Sequence, residues 1–361
     1  MSGGIKVSPD EHCQLCGHAC LARRGKGEKG FCGAGQLVGF STALLHHGEE
    51  PPLSGDGSLS GGSGTIFFTR CVLRCVFCQN WQISQGGPAE ALPWEPEAQF
   101  RRSPASVADA IETLAPGRPE VALGRDIDVQ ELADIMLELE AQGAFNINLV
   151  SPTPYAAQIA LALAEAKKRG LSLPVVYNTG GYDSLTALRL MDGLVDIYLP
   201  DAKMAPPVDQ GPDEPDAQSA RLLGAGDYPK INRRALIEMH RQVGSLQIDG
   251  RGLARSGLLI RHLVLPDNLA RTTEMLPWLS ETFGPTVHLS LMAQYHPTHL
   301  VTRNPEEFRD FPGLSRPLSL GEYDEAVDLA LDCGLVNCFI QELSAAAHYL
   351  PDFKRPKVFH S

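Results

Sequence analysis

No stretch of this chain approaches the roughly 20 consecutive apolar residues that a bilayer-spanning helix needs. Its first residues, Met1-Ser2-Gly3-Gly4-Ile5-Lys6, lack the apolar core of a secretory signal. Basic residues are also in short supply. The 31 Lys and Arg face 43 Asp and Glu, a net charge of -12, and no basic block offers a track for phosphates. These absences argue against membrane and nucleic-acid partners and lead us to expect a cytoplasmic protein. Disorder is excluded by composition, since 43% of the residues are hydrophobic and 20% charged. The 361 residues suffice for one large α/β domain and a small accessory module.

Large aliphatic side chains are scarce in the first 35 positions, which cannot build a core unaided. Cysteine takes their place. Seven of nine cysteines fall in two tight groups, Cys13, Cys16, Cys20, Cys32 and Cys71, Cys75, Cys78, while Cys333 and Cys338 stand apart. In a reducing compartment such groups are metal ligands rather than disulfides.

From Thr65 onward, short β-branched and aromatic runs alternate with helix-length segments. Strands are predicted at 65–69, 146–150, 174–178, 196–200, 258–266 and 287–292. Helices are predicted after Asp128, from Pro154, from Ser184, from Arg234, from Asn268 and from Gly321, several with cap signals such as Asp183-Ser184 and Gly170. Strict alternation implies parallel strands with right-handed crossovers, and six units imply a partial (β/α)6 barrel of the TIM-like kind rather than the full eight.

The expected organisation has four parts. Residues 1–47 form a Cys-rich metal-binding segment and 48–64 a Gly/Pro/Ser-rich connection. Residues 65–335 form the barrel, with insertions at about 85–125 and 205–228 on the surface, and 336–361 a C-terminal extension.

Cys71-Val-Leu-Arg-Cys75-Val-Phe-Cys78 directly follows the first predicted strand, where α/β barrels place active sites. A [4Fe-4S] cluster takes four thiolates, so three leave one iron open, and an open position separates a reactive centre from a structural one. An electron-transfer or zinc site with a remote fourth ligand is the alternative. A C-x3-C-x2-C run with Phe77 before the last Cys resembles the radical S-adenosylmethionine (SAM) superfamily. The segments GEEPPLSG, GTIFFTRCVLRCVFCQNWQIS, INLVSPTPY, VVYNTGGYDS, VDIYLPDAK, EMHRQVG, LIRHLVLP and SLMAQYHP are similar to the uncharacterised members related to pyruvate formate-lyase activating enzyme.

The resemblance implies an oxidoreductase in which SAM chelates the open iron and is cleaved by one electron to a 5'-deoxyadenosyl radical that abstracts hydrogen, from a polypeptide or a small molecule. It implies an external one-electron donor such as flavodoxin or ferredoxin. Phe77 is placed at the cofactor. Ser151 and Thr153 stand where related activases present Gly-Gly-Glu to the SAM amino group, a segment this chain lacks; capping the next helix is their other role. Asn178, Thr179, Asp201 and Lys203 match positions around the SAM ribose and carboxylate or a monovalent cation, with turn formation and an ion pair as the structural alternatives. His296, after Tyr295, matches a residue that reaches SAM. Adjacent Arg261 and His262 point to opposite faces of their strand, so one of them enters the barrel. Glu49 and Glu50 are carboxylates of the connecting loop.

Cys13-x2-Cys16-x3-Cys20-x11-Cys32 is a second metal-site pattern, either structural zinc or an auxiliary iron–sulfur cluster, with His12 and His18 as substitute ligands. A second class of function remains open: a non-catalytic iron–sulfur electron-transfer protein. A zinc-stabilised interaction protein is a third reading.

Overall fold

A computed structural model describes residues 12–48, 50–85, 123–211, 214–343, 351–355 and 358–359. The strands, in chain order, are β1 (Val38–His46), β2 (Gly62–Phe68), β3 (Arg125–Ile127), β4 (Ala144–Val150), β5 (Val175–Thr179), β6 (Ile197–Pro200), β7 (Gln247–Ile248), β8 (Ala254–Leu263), β9 (His288–Met292) and β10 (Cys338–Ile340). All six predicted strands are present, as β2, β4, β5, β6, β8 and β9. They pair in parallel in that order, β10 adds to β9, and β1 and β3 extend the other side antiparallel. Among the described residues the sheet is open, with β10 and β3 at its edges. In sequential parallel order, crossovers of one hand bring their helices to one face.

Side chains in register form that face. Ile66, Leu149, Tyr177, Tyr198 and Leu258 lie side by side across five strands and are buried beneath the helices. Helix Val129–Ala141 starts where Asp128 accepts from the Glu131 amide, and buries Leu132, Ala133, Met136 and Leu139 on one stripe. Helix Leu320–Asp332 starts on a reciprocal Ser319–Glu322 capping box. Among the described residues no helix is long and apolar enough to cross a membrane.

Four segments differ from the expected organisation. Val38–His46, read as part of the Cys-rich segment, is a strand of the sheet paired with β2. The connecting loop contains a turn of helix, Pro51–Ser54, with Leu53 fully buried. The stretch 205–228, read as a solvated excursion, carries helix Ala217–Leu223, whose Ser219, Leu222 and Leu223 are completely buried. Seven residues are too few to show a helical period, and the Asp and Pro before them mask it. The C-terminal extension supplies β10. Most of the insertion at 85–125 lies outside the described residues.

His262 turns towards the helices and is fully buried. Its Nδ1 donates to the Ala202 carbonyl at 2.6 Å and its Nε2 accepts from the Thr272 hydroxyl at 2.9 Å. Burial lowers its pKa to about 4, so it folds as the neutral ring. A folded pKa below the unfolded value contributes stability that is complete above about pH 6.5 and is lost as pH falls through about 4. His262→Gln should therefore remove up to about 3 kcal/mol of the acid-induced loss between pH 7 and 4, read from denaturant midpoints across pH.

Candidate active site

Parallel strands bring their C-terminal ends to one rim. β2 delivers its chain there through Arg70, whose left-handed backbone (φ 71°) turns the strand into the cysteine loop. Apart from Arg74, the residues between the cysteines are apolar and anchor the loop: Val72, Leu73 and Val76 are buried. The loop backbone is held by the former excursion, since the Arg74 and Val76 amides donate to the Leu223 and Leu222 carbonyls at 2.8 and 3.0 Å. Cys75 is buried and Cys71 and Cys78 are half-buried.

Burial pushes all three thiols up, Cys78 to about 11. The Lys203 charge opposes the rise at each of them. Lys203 Nζ donates to Asp201 at 2.5 Å, and Arg261 Nε donates to the other carboxylate oxygen at 2.9 Å while its Nη2 donates to the Asn178 side-chain oxygen at 2.5 Å. Burial alone would raise the Asp201 carboxyl, but Arg261 and Lys203 outweigh it and hold it below the usual range. Of the adjacent pair on β8, Arg261 is the residue that enters.

A cavity of about 640 Å³ opens beside this network, walled by Asn178, Arg261, Ser290 and Met292 and by Gln79 and Asn80, which follow Cys78. Sequence reasoning missed its amides. Gln79 Nε2 donates to the Gln294 carbonyl at 2.9 Å, and Gln341 Nε2 to the Gln294 side-chain oxygen at 3.0 Å, tying the cysteine loop to the ends of β9 and β10. The one available signal was that Gln79-Asn80 directly follows the cysteine motif.

The other expected site residues divide. Ser151 adopts a left-handed backbone (φ 60°) after β4 and hydrogen-bonds the Cys71 thiol, lowering it. Glu50 reaches the cavity wall, while Glu49 lies outside the described residues. Thr153 and Thr179, expected at the cofactor, are buried away from the cavity wall. Their hydroxyls donate to Asp183 at 2.8 and 2.6 Å, with the Tyr177 hydroxyl at 3.0 Å. Burial raises the Asp183 carboxyl, and those three donors offset part of the rise. Phe77 is 6% exposed and sits edge-on to Tyr295 at 5.9 Å in the core instead of on the cavity wall. His296 is half-buried beyond β9 and does not line the cavity.

The N-terminal cysteines lie against the same rim. Arg24 Nη2 donates to the sulfurs of Cys13 at 3.2 Å and Cys32 at 3.5 Å. The Cys13 and Cys20 thiols are hydrogen-bonded, which draws Cys20 down to about 5. Burial pushes Cys16 up. His18 Nε2 donates to the Val72 carbonyl at 2.9 Å and its ring stacks on Phe31 at 3.8 Å, so that nitrogen is committed to the backbone; His12 is exposed. Among the described residues, no three His, Cys, Asp or Glu side chains converge as the ligands of one metal ion would.

No protein-family profile matches the chain. A protein of Methanocaldococcus jannaschii, described only as uncharacterized, is 27% identical over 328 residues, spanning 89% of this chain and 74% of its own length.

Proposed function

We propose that the chain is a radical SAM enzyme, with Cys71, Cys75 and Cys78 as the protein ligands of a [4Fe-4S] cluster in a partial (β/α)6 barrel. The observation that carries this reading is three thiols on one loop, at the C-terminal end of the first parallel strand, with the Lys203–Asp201–Arg261 network at neighbouring strand ends. An all-sulfur donor set suits iron–sulfur chemistry. Each cysteine of a cubane takes its own iron, so three of them leave the fourth iron open. When bound, the cluster supplies the single electron that splits the SAM sulfonium into methionine and the 5'-deoxyadenosyl radical. Arg261 and Lys203, fixed by Asp201, are the cations available to the SAM carboxylate, and Asn178 is the polar group for its ribose. The buried apolar anchors of the loop keep water from the thiols. The resemblance to activases favours a polypeptide as the hydrogen donor, with a ferredoxin or flavodoxin as electron source.

Anaerobically reconstituted protein given SAM and dithionite should release 5'-deoxyadenosine, quantified by chromatography. Protein with a full cluster that makes none would refute the assignment. A cluster whose electron paramagnetic resonance spectrum ignores SAM would favour the electron-transfer reading.

A further inference from the structure

We infer that Cys13, Cys16, Cys20 and Cys32 hold a second iron–sulfur cluster, closed by four protein thiolates and bonded directly to the loop that carries the first triad. The metal site stands on its own geometry; its use as an electron station rests on the function proposed above.

The usual occupant of a short four-cysteine segment is zinc, which supplies the stability that such a segment lacks. This segment is already fastened. The Gly17 amide donates to the Tyr182 carbonyl at 3.2 Å, the Ser184 amide to the Leu15 carbonyl at 3.2 Å and the Ser184 hydroxyl to the Gln14 carbonyl at 2.5 Å. Cys13, Leu15, Cys16 and Cys32 join the main hydrophobic core.

Arg24 points to the same occupant. Its Nη2 reaches two of the four sulfurs, and its Nε is buried without a hydrogen-bond partner among the described residues. A buried N–H left unpaired is costly. Inorganic sulfide would give that donor an acceptor, whereas a zinc ion brings none of its own. Ala19 (φ 40°) and Leu21 (φ 57°) take left-handed backbone in this loop, a conformation uncommon for residues with side chains.

The two cysteine groups are connected. Arg74, next to Cys75, donates from Nη2 to the carbonyl of Phe31, next to Cys32, at 2.8 Å. His18, between Cys16 and Cys20, donates to the carbonyl of Val72, next to Cys71, at 2.9 Å. Each link crosses a single hydrogen bond. The arrangement suits single-electron relay, one electron entering from a ferredoxin-class donor at half-exposed Cys20 and one leaving towards the first site.

The test is metal content in anaerobically reconstituted, full-length protein. Wild type should hold about eight iron and eight sulfide per chain, and a Cys71→Ala/Cys75→Ala/Cys78→Ala variant about four of each, with a spectrum unaltered by SAM. Cys20→Ser, with the first triad intact, should also fall to about four iron. Zinc at one per chain with no iron in the triple variant, or wild-type iron content in Cys20→Ser, overturns the inference. Wild type with about eight iron that makes no deoxyadenosine would instead end the SAM reading and leave the second site standing.

Discussion

Alanine at Cys71, Cys75 or Cys78 is expected to cut deoxyadenosine formation by at least ~1000-fold, roughly 4 kcal/mol in the barrier. The expectation rests on where the rest of the loop is held. Val72, Leu73 and Val76 are buried and the backbone is pinned to Leu222 and Leu223, so removing one sulfur leaves the loop in place and takes away chemistry alone. Near-ultraviolet circular dichroism should match wild type while iron falls by about four per chain. Cys333→Ser is the control, because Cys333 ends the helix Leu320–Asp332 away from the cavity wall. It should keep full activity. An alanine variant of the triad that retains activity within a few-fold would exclude a ligand role for that cysteine.

The central strands were legible because both faces of a parallel sheet are covered, and their apolar runs stand out against the helices between them. β1 was not. Val38–His46 reads V-G-F-S-T-A-L-L-H, with a glycine, a serine and a threonine in its first five residues, and it lies so close to the cysteines that it passed for part of their segment. β10 spans three residues, below the length at which a period can show. At the site, the cysteine spacing was legible as three thiols on one loop directly after β2.

Hydroxyls carried no such information. Thr153, Thr179 and Ser151 all sit at strand ends, and sequence gives them the same weight. What separates them is Asp183, a buried carboxylate that engages the first two and leaves Ser151 to Cys71. Its sequence context, Asp183-Ser184 before a helix, signalled only a cap, and Ser184 does accept from the Ala187 amide. A buried acid in a cap position cannot be told from an exposed one until the chain is folded around it. The same holds for Phe77, whose place beside Cys78 suggests the cofactor while its ring packs on Tyr295.

Asp201 carries the second large effect. Its carboxylate bonds both Lys203 and Arg261, and the three side chains are 18%, 20% and 15% exposed. Asp201→Ala removes the carboxylate that Lys203 and Arg261 share, and breaking a buried pair from one side costs about 3–5 kcal/mol. Urea midpoints should fall accordingly. Asp201→Asn, which keeps an acceptor for Arg261, should lose less. Lys203→Met should lose least, because the Asp201–Arg261 pair survives it. The pH dependence follows from the depressed carboxyl. A folded pKa below the unfolded one contributes stability that is present above the ordinary carboxylate range and vanishes as pH falls through the folded value. Asp201→Asn should therefore flatten the acid limb of the stability curve that wild type shows below about pH 4. A loss below ~1 kcal/mol in Asp201→Ala would place the network with solvent-screened surface pairs. Lys203 would then no longer count as a fixed cation.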